Sequence, residues 1–189
     1  MRRQFASLAL IAILLLSAGP AAAALPAPGD TVADLEIKTP PQPSEAAYLG
    51  LSARATSFRL SQIKAELLLV DIYSMYCPRC QAEAPAVNRL FGLLKSEPAA
   101  RGIRFIGIAA GNSPFEVEVF RKKYQAAQPL FPDAEYVLHK GLGSVGTPSY
   151  LLLRSLPGGR GFRVLLSREG EFKDEAAFLQ QVLGAAAKR

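Results

Sequence analysis

An almost wholly apolar run just before the chain's two cysteines constrains its fold more than any other feature. In the strand expected over about 66–73, Leu67-Leu68-Leu69-Val70-Asp71-Ile72-Tyr73 is apolar at every position but Asp71. A strand buried on both faces reads this way. After Ser74-Met75-Tyr76, Cys77-Pro78-Arg79-Cys80 opens a stretch to about Ser96, in which Leu90, Leu93 and Leu94 continue one apolar face. Proline is favoured at a first helical position, so Cys77 falls at a helix N-terminus with Cys80 one turn on. Side chains at i and i+3 share a helix face, which puts the two Cα atoms within disulfide range.

The rest of the chain supplies partners for that strand. Residues 25–55 carry Pro26, Pro28, Pro40, Pro41 and Pro43 and read as an extended segment with one short strand near Leu35-Glu36-Ile37. Residues 56–60 read as an edge strand and 60–63 as a turn of helix. A second buried strand is expected at 103–109. A helix should then run from Pro114 to about Ala127, with Phe115, Val119 and Phe120 on its apolar stripe. A short strand at 129–131 and a short helix at 134–142 precede a strand from Ser149 to Leu153. The turn Pro157-Gly158-Gly159-Arg160-Gly161 joins that strand to another at 162–167, and the two read as a hairpin. Asp174 is placed to cap a last amphipathic helix to Ala186, with Phe178, Leu179, Val182 and Leu183 inward. Helix-connected strands followed by a hairpin and a helix predict an α/β fold: a central mixed β-sheet with helices on both faces. The chain of 189 residues suffices for one such domain, over 56–189.

The first 24 residues have the three parts of an export signal. Arg2 and Arg3 form a basic start, Leu8 to Leu16 an apolar run, and Ala21 to Ala24 a small-residue cleavage zone. An uncleaved N-terminal anchor is the other reading. Export implies the periplasm or cell envelope, where disulfides persist. The net charge is +6, and removing Arg2 and Arg3 leaves 20 basic against 16 acidic residues, or +4. These charges are interspersed rather than clustered, which speaks against a nucleic-acid partner.

Both thiols lie in one local motif, so they point to chemistry rather than stapling. A disulfide closing so small a loop restricts the unfolded chain little. Tetrahedral zinc needs four ligands, and the chain offers one cysteine pair and one distant histidine, His139. A c-type haem needs His directly after the second Cys, where Gln81 stands. A redox dithiol remains, which needs neither metal nor organic cofactor, and the helix N-terminus together with Arg79 favours a Cys77 thiolate.

The stretch Leu69-Val70-Asp71-Ile72-Tyr73-Ser74-Met75-Tyr76-Cys77-Pro78-Arg79-Cys80-Gln81-Ala82-Glu83-Ala84-Pro85 resembles the active-site segment of the thioredoxin superfamily. It looks most like the exported TlpA/ResA-type thiol–disulfide oxidoreductases. Glu83 and Pro85 match that family's Glu and Pro after the second Cys. Val145-Gly146-Thr147-Pro148 matches its cis-proline loop, and the βα segment at about 103–127 matches its central insertion. The chain departs from the family in having no Trp: Tyr73 and Tyr76 hold the aromatic positions before Cys77. Asp71 stands where the TlpA type often has Asn and thioredoxin has Asp.

The resemblance implies a thioredoxin-like fold and a protein disulfide reductase. Cys77 would be the nucleophile and Cys80 the resolving thiol. Thr147 and Pro148 would offer backbone groups to an extended substrate, with Tyr76 and Arg79 beside them. Asp71, in so apolar a run, should have a raised pKa and could take the Cys80 proton. Glu83 either tunes the cysteines or relays protons, or it is a solvated helix residue making an intrahelical pair. His139 reads as a surface or helix-end residue, and Tyr124, Tyr136 and Tyr150 as core-edge aromatics. Implied partners are protein thiols and disulfides, with apocytochrome c among them, and an upstream membrane electron donor, for a monomer. Two other classes compete. A peroxiredoxin-like peroxidase needs Pro seven residues, and Thr or Ser three residues, before its reactive Cys. Ser74 fits, but position 70 is Val. A non-catalytic thioredoxin-fold binding module is the second.

Overall fold

The protein is described here by a computed structural model covering residues 25–143 and 145–188. The export-signal reading of residues 1–24 lies outside the described residues. Among the described residues no helix is long and apolar enough to cross a membrane.

Strand β4 (Leu67–Tyr73) is buried along its whole length and lies inside a six-stranded mixed sheet. On one side it pairs in parallel with β5 (Ile103–Ala110), which pairs in parallel with β6 (Leu130–Asp133). On the other it pairs antiparallel with β7 (Ser149–Ser155), which forms a hairpin with β8 (Phe162–Glu169). Two residues of the N-terminal segment, β1 (Thr31–Val32), close that edge against β8. A separate two-stranded ribbon joins β2 (Glu36–Ile37) to β3 (Phe58–Arg59).

Strand side chains alternate between the two faces of a sheet, and β4 divides the core accordingly. Leu68, Val70 and Ile72 enter one apolar cluster with Leu49, Phe131 and Leu138. Leu67 and Leu69 face the other side, against Val87, Leu90 and Phe91 of α2 (Pro78–Ser96) and Phe178 and Val182 of α5 (Glu175–Ala186). Tyr73 continues that second face, packing with Cys80, Ala84 and Phe120. Asp71, between Leu69 and Tyr73, therefore points towards the helix that carries the cysteines. Register gives it Tyr150 as its neighbour on β7 and Gly107 as its neighbour on β5.

Three sequence expectations are corrected. Residues 25–55 are not extended throughout: α1 (Pro43–Leu49) forms there, with Pro43 at its first turn and left-handed Gly50 as its C-cap. The prolines that suggest an extended chain are, at position 43, a helix start. Helix α3 (Pro114–Tyr124) buries Val117 and Phe120, whereas Phe115 is 76% and Val119 36% exposed. The helix meets the sheet along a stripe offset from the one its large residues suggest. Tyr150 is not at the core's edge but wholly buried. The short helix α4 (Val137–Gly141) carries His139, whose Nε2 lies 2.7 Å from the Val145 carbonyl.

A buried ion pair fastens α1 to this frame. Arg121 Nη2 of α3 lies 2.7 Å from Glu45 Oε1 of α1, with the two side chains 17% and 8% exposed. Glu45 also accepts from the Gln42 and Leu130 backbone N–H groups, and Arg121 donates to the Gln128 and Leu130 carbonyls. Breaking such a pair leaves the surviving charge buried, which costs about 3–5 kcal/mol. Arg121→Met should therefore lower stability by about 3 kcal/mol. Arg79→Ala, which removes an exposed pair with Glu171 at 3.9 Å, should cost less than about 1 kcal/mol. Urea melts of the two variants compare them directly. Equal losses would mean that the α1 tie carries no special weight.

Candidate active site

The loop between β4 and α2 sets the position of the first thiol. Asn112, fully buried, accepts from the Met75 N–H at 2.8 Å, and Gln81 donates to the Met75 carbonyl at 2.6 Å. The Cys77 N–H reaches the Ser74 carbonyl at 3.1 Å. Cys77 itself is the N-cap of α2, and its sulfur accepts from the Cys80 N–H at 3.3 Å. Its thiol donates to the Thr147 carbonyl, also at 3.3 Å. The Thr147–Pro148 peptide bond is cis. Site residues 70 positions apart thus meet at one sulfur.

The two thiols, both free, occupy different environments. Cys77 is partly exposed. Burial pushes its pKa up, but the Cys80 thiol, the Thr147 side chain and the backbone N–H groups of Cys80 and Arg79 outweigh that and bring it below the ordinary thiol value. The Thr147 carbonyl accepts only from the neutral thiol and so opposes ionisation, but the donors prevail. Cys80 is 4% exposed. Burial, its hydrogen bond to Cys77, and the charges of Asp71 and Cys77 push its thiol far up, against a smaller opposing contribution from the Ser74 backbone.

Arg79 acts on Cys77 through its backbone N–H, while its guanidinium lies out towards Glu171. Tyr76 is 64% exposed, and its hydroxyl donates to the Glu116 carboxylate at the start of α3. Tyr76 and Arg79 therefore flank the thiol on the surface, while Asp71 and Glu83 lie beneath it.

Glu83 is not a solvated helix residue. It is 6% exposed, accepts from the Tyr150 hydroxyl at 2.8 Å and from the Phe172 N–H at 2.6 Å, and so ties α2 to β7 and to the approach to α5. Burial raises its pKa, and those two donors pull part of the rise back. Asp71 has no such help. It is 4% exposed, and among the described residues nothing hydrogen-bonds its Oδ1. Burial, then the charges of Glu83 and Cys77, hold its carboxyl well above the usual carboxylate range. Such a pair of thiols, one activated and one protonated next to a carboxyl group, can attack a disulfide and then resolve the product.

Sequence reasoning missed Asn112, which pins the loop, and Gln128, which lines a small cavity with Asp71, Tyr73 and Cys80. Neither belongs to a recognisable local motif.

The AhpC/TSA family profile matches residues 28–157, and the chain belongs to that family. The thiol-disulfide oxidoreductase ResA of Halalkalibacterium halodurans is 24% identical over 115 residues. That match covers 61% of this chain and 56% of the relative, so the chain spans little more than half the length of that protein. Among solved structures, a thioredoxin-family thiol:disulfide interchange protein from Chlorobium tepidum superposes with TM-score 0.54 at 19% identity, covering 85% of this chain and 95% of the other. The thioredoxin domain of a thiol-disulfide oxidoreductase from Bacteroides vulgatus gives TM-score 0.57 at 15% identity, covering 82% and 98%. The fold is thioredoxin-like.

The raised pKa of Asp71 has a thermodynamic consequence. A carboxyl whose folded pKa exceeds its unfolded value contributes stability that is fully present below the unfolded pKa, about 4, and lost as pH rises through the folded one. The reduced protein should lose stability over that interval. Asp71→Asn should remove the loss, stabilising the protein at pH 7 by about 1–3 kcal/mol, the scale of an unpaired buried polar group. The gain should vanish below about pH 4, where both states carry the proton. Denaturant melts at the two pH values measure it, and an Asn variant no more stable at pH 7 would count against an uncompensated carboxyl.

Proposed function

We propose that this chain is an exported thiol–disulfide oxidoreductase, working as a reductase of protein disulfides in the periplasm or cell envelope. The observation that carries this reading is the asymmetry of the dithiol. Cys77 is accessible, its pKa is lowered and it lies against the Thr147 carbonyl, whereas Cys80 is buried with its pKa far up. The export signal in residues 1–24 supports the compartment, and the ResA relative supports the activity.

The chemistry balances with the chain's own groups. The Cys77 thiolate attacks a substrate disulfide, forming a mixed disulfide and releasing one substrate thiolate. Cys80 gives its proton to Asp71, and its thiolate attacks the Cys77 sulfur. The Cys77–Cys80 bond forms, the bond to substrate breaks, and the second substrate thiolate leaves. Two electrons pass from dithiol to substrate, so each turnover requires a fresh dithiol donor, for which a membrane electron carrier is the expected source. Thr147 and Pro148 offer the platform on which an extended substrate, an apocytochrome c segment among the candidates, pairs with backbone groups. Glu83, held by Tyr150 and Phe172, acts on the dithiol through Asp71, whose pKa its charge helps to raise.

A peroxidase reading draws on the AhpC/TSA match. It predicts rapid oxidation of Cys77 to a sulfenate by peroxide, whereas Val70 stands where such a site needs Pro. Equilibration against dithiol/disulfide buffers, with peroxide consumption measured in parallel, tests the assignment. A reducing midpoint without peroxide turnover is expected, and rapid peroxide turnover would replace the reductase reading.

Cys77→Ser should abolish exchange, while Cys80→Ser should attack normally and accumulate a mixed disulfide visible on a non-reducing gel. In the reduced wild type, alkylation should label Cys77 first, with its half-maximal rate at a lower pH than that of an ordinary free thiol. Preferential labelling of Cys80 would reverse the two roles.

A further inference from the structure

Four successive carbonyls, from Val145 to Pro148, lead through the substrate platform, and each accepts a hydrogen bond. The Gly146 carbonyl accepts from the Ser149 hydroxyl at 2.7 Å, and the Pro148 carbonyl from the Gly170 N–H at 2.8 Å. Ser149 opens β7 and Gly170 follows β8, so both of these ties stay within the hairpin. The Thr147 carbonyl takes the Cys77 thiol. The Val145 carbonyl lies 2.7 Å from His139 Nε2, on α4, which packs against β5 and β6. A carbonyl can only accept, so in the neutral ring Nε2 carries the proton and Nδ1 does not. His139 is the chain's one histidine, and the proposed exchange steps leave it unassigned.

The seat of His139 is itself fixed. Asp133, the last residue of β6 and 6% exposed, accepts from the Leu138 N–H at 3.0 Å and from the His139 N–H at 2.7 Å, one at each carboxylate oxygen. Tyr136, just before α4, donates its N–H to the Asp133 carbonyl and holds a left-handed φ of 56°. A tyrosine stays in that costly region only where its surroundings over-determine it. Its ring packs edge-on against His139 at 5.6 Å, and its hydroxyl lies so close over Gly111 that a Cβ there would collide with it. Asp133 also reaches the loop that pins the thiol. Its N–H donates to the Asn112 carbonyl at 3.2 Å, and its carbonyl accepts from the Gly111 N–H at 3.0 Å. Asn112 in turn holds Met75. Hydrogen bonds and short backbone stretches thus close a ring around the site. It runs from Met75 through Asn112, Asp133, His139 and Val145 to Thr147, which meets Cys77. His139 joins the half that holds the thiol to the half that holds the platform.

We propose that His139 is a positioning residue for the first exchange step. Its Nε2–H sets where the Thr147 carbonyl stands relative to Cys77. That placement decides whether a substrate backbone can pair with the platform while its disulfide meets the thiol. When Cys77 ionises, the Thr147 carbonyl loses its donor, and a partly buried acceptor without a donor is costly. A backbone N–H of an extended substrate replaces it. The carbonyls at 145, 146 and 148 keep their donors, so the one set free is the one beside the nucleophile. The ties at Gly146 and Pro148 fix the platform to the hairpin, whereas the tie at Val145 fixes it to the frame that holds the thiol. Attack is sensitive to that distance, since a misplacement of about 1 Å can cost about a hundredfold in rate. The role rests on the exchange reading, but the hydrogen bond and the ring tautomer do not.

Two disulfides that share a leaving group separate positioning from reactivity. In one, thionitrobenzoate is linked to the single cysteine of an extended peptide, and in the other to mercaptoethanol. The more acidic thiol leaves from both, so its release times the attack by Cys77. Only the peptide has a backbone to pair with the platform. In full-length His139→Leu, the ratio of the peptide rate to the mercaptoethanol rate should fall about tenfold, the scale of one lost hydrogen bond. His139→Gln, whose amide nitrogen can stand where Nε2 does, should recover most of that ratio. Methylating the peptide's backbone nitrogens on either side of its cysteine should lower the wild-type ratio and erase the difference from His139→Leu. A nitrogen NMR spectrum of the neutral ring in wild type should place the proton on Nε2, a readout that holds even where the Leu variant fails to fold. An unchanged ratio in His139→Leu, equal slowing of both disulfides, no recovery in His139→Gln, or a proton on Nδ1 would each overturn the assignment and leave the exchange activity standing. A wild type that releases thionitrobenzoate from neither disulfide would instead remove the activity, and the role of His139 with it.

Discussion

Two thiols one helical turn apart cannot share an environment when one caps the helix and the other faces the sheet, and the rest of the site depends on that constraint. Helix geometry brings the sulfurs together, while the helix start gives Cys77 backbone donors that stabilise a charge. The same turn drives Cys80 against Tyr73 and Ala84, where a charge is disfavoured. The loop from Ser74 to Tyr76 is pinned by Asn112 and Gln81 so that this cap forms where the chain around Thr147 can reach it.

The sheet supplies the other half of the arrangement. Alternation along β4 puts Asp71 on the cysteine side without any loop or special backbone, because Leu69 and Tyr73 must face α2 for the core to close. Register then sets its two neighbours. Tyr150 fills one side and spends its hydroxyl on Glu83, and on the other side Gly107 brings no side chain, its place being taken by Leu130 and the Tyr73 ring. One carboxylate is thereby supplied with donors and the other is deprived of them. Pairs of titratable groups whose surroundings separate their pKa values are a recurrent means of dividing acid and base roles.

What the sequence disclosed follows from how local each signal is. The apolar run of β4, the Pro78 helix start, the Asp174 cap and the hairpin turn around Gly158 each write their structure within a few residues, and the fold is legible from them. Helix α1 was hidden because prolines at 40, 41 and 43 look alike in sequence, and only the last begins a helix. The outward turn of Phe115 depends on the face α3 offers to β6, which its own residues do not determine. Glu83 stayed ambiguous because its donors are 67 and 89 residues away. Gln128 was invisible for the same reason. It is an ordinary polar residue before a short strand, and its significance comes from the space it shares with Asp71.

On the proposed chemistry, the coupling between these groups also orders the steps. In the resting dithiol, the Cys77 charge is among the causes that raise both Asp71 and Cys80. That favours a protonated Asp71, which makes a poor base, and a protonated Cys80, which cannot attack prematurely. Once Cys77 joins a mixed disulfide its charge is gone, and the hydrogen bond that Cys80 gave it is lost with the thiolate. Both pKa values then fall, that of Asp71 towards what burial and Glu83 impose and that of Cys80 towards what burial and Asp71 impose. Asp71 ionises more readily at the moment when a base is needed, and Cys80 gives up its proton more readily at the moment when a nucleophile is needed. Attack therefore prepares resolution through electrostatics. Interacting groups of this kind titrate as a unit, so the protonation state of the site follows its covalent state. On this chemistry one helix turn and one strand serve two chemically different steps with the same pair of sulfurs.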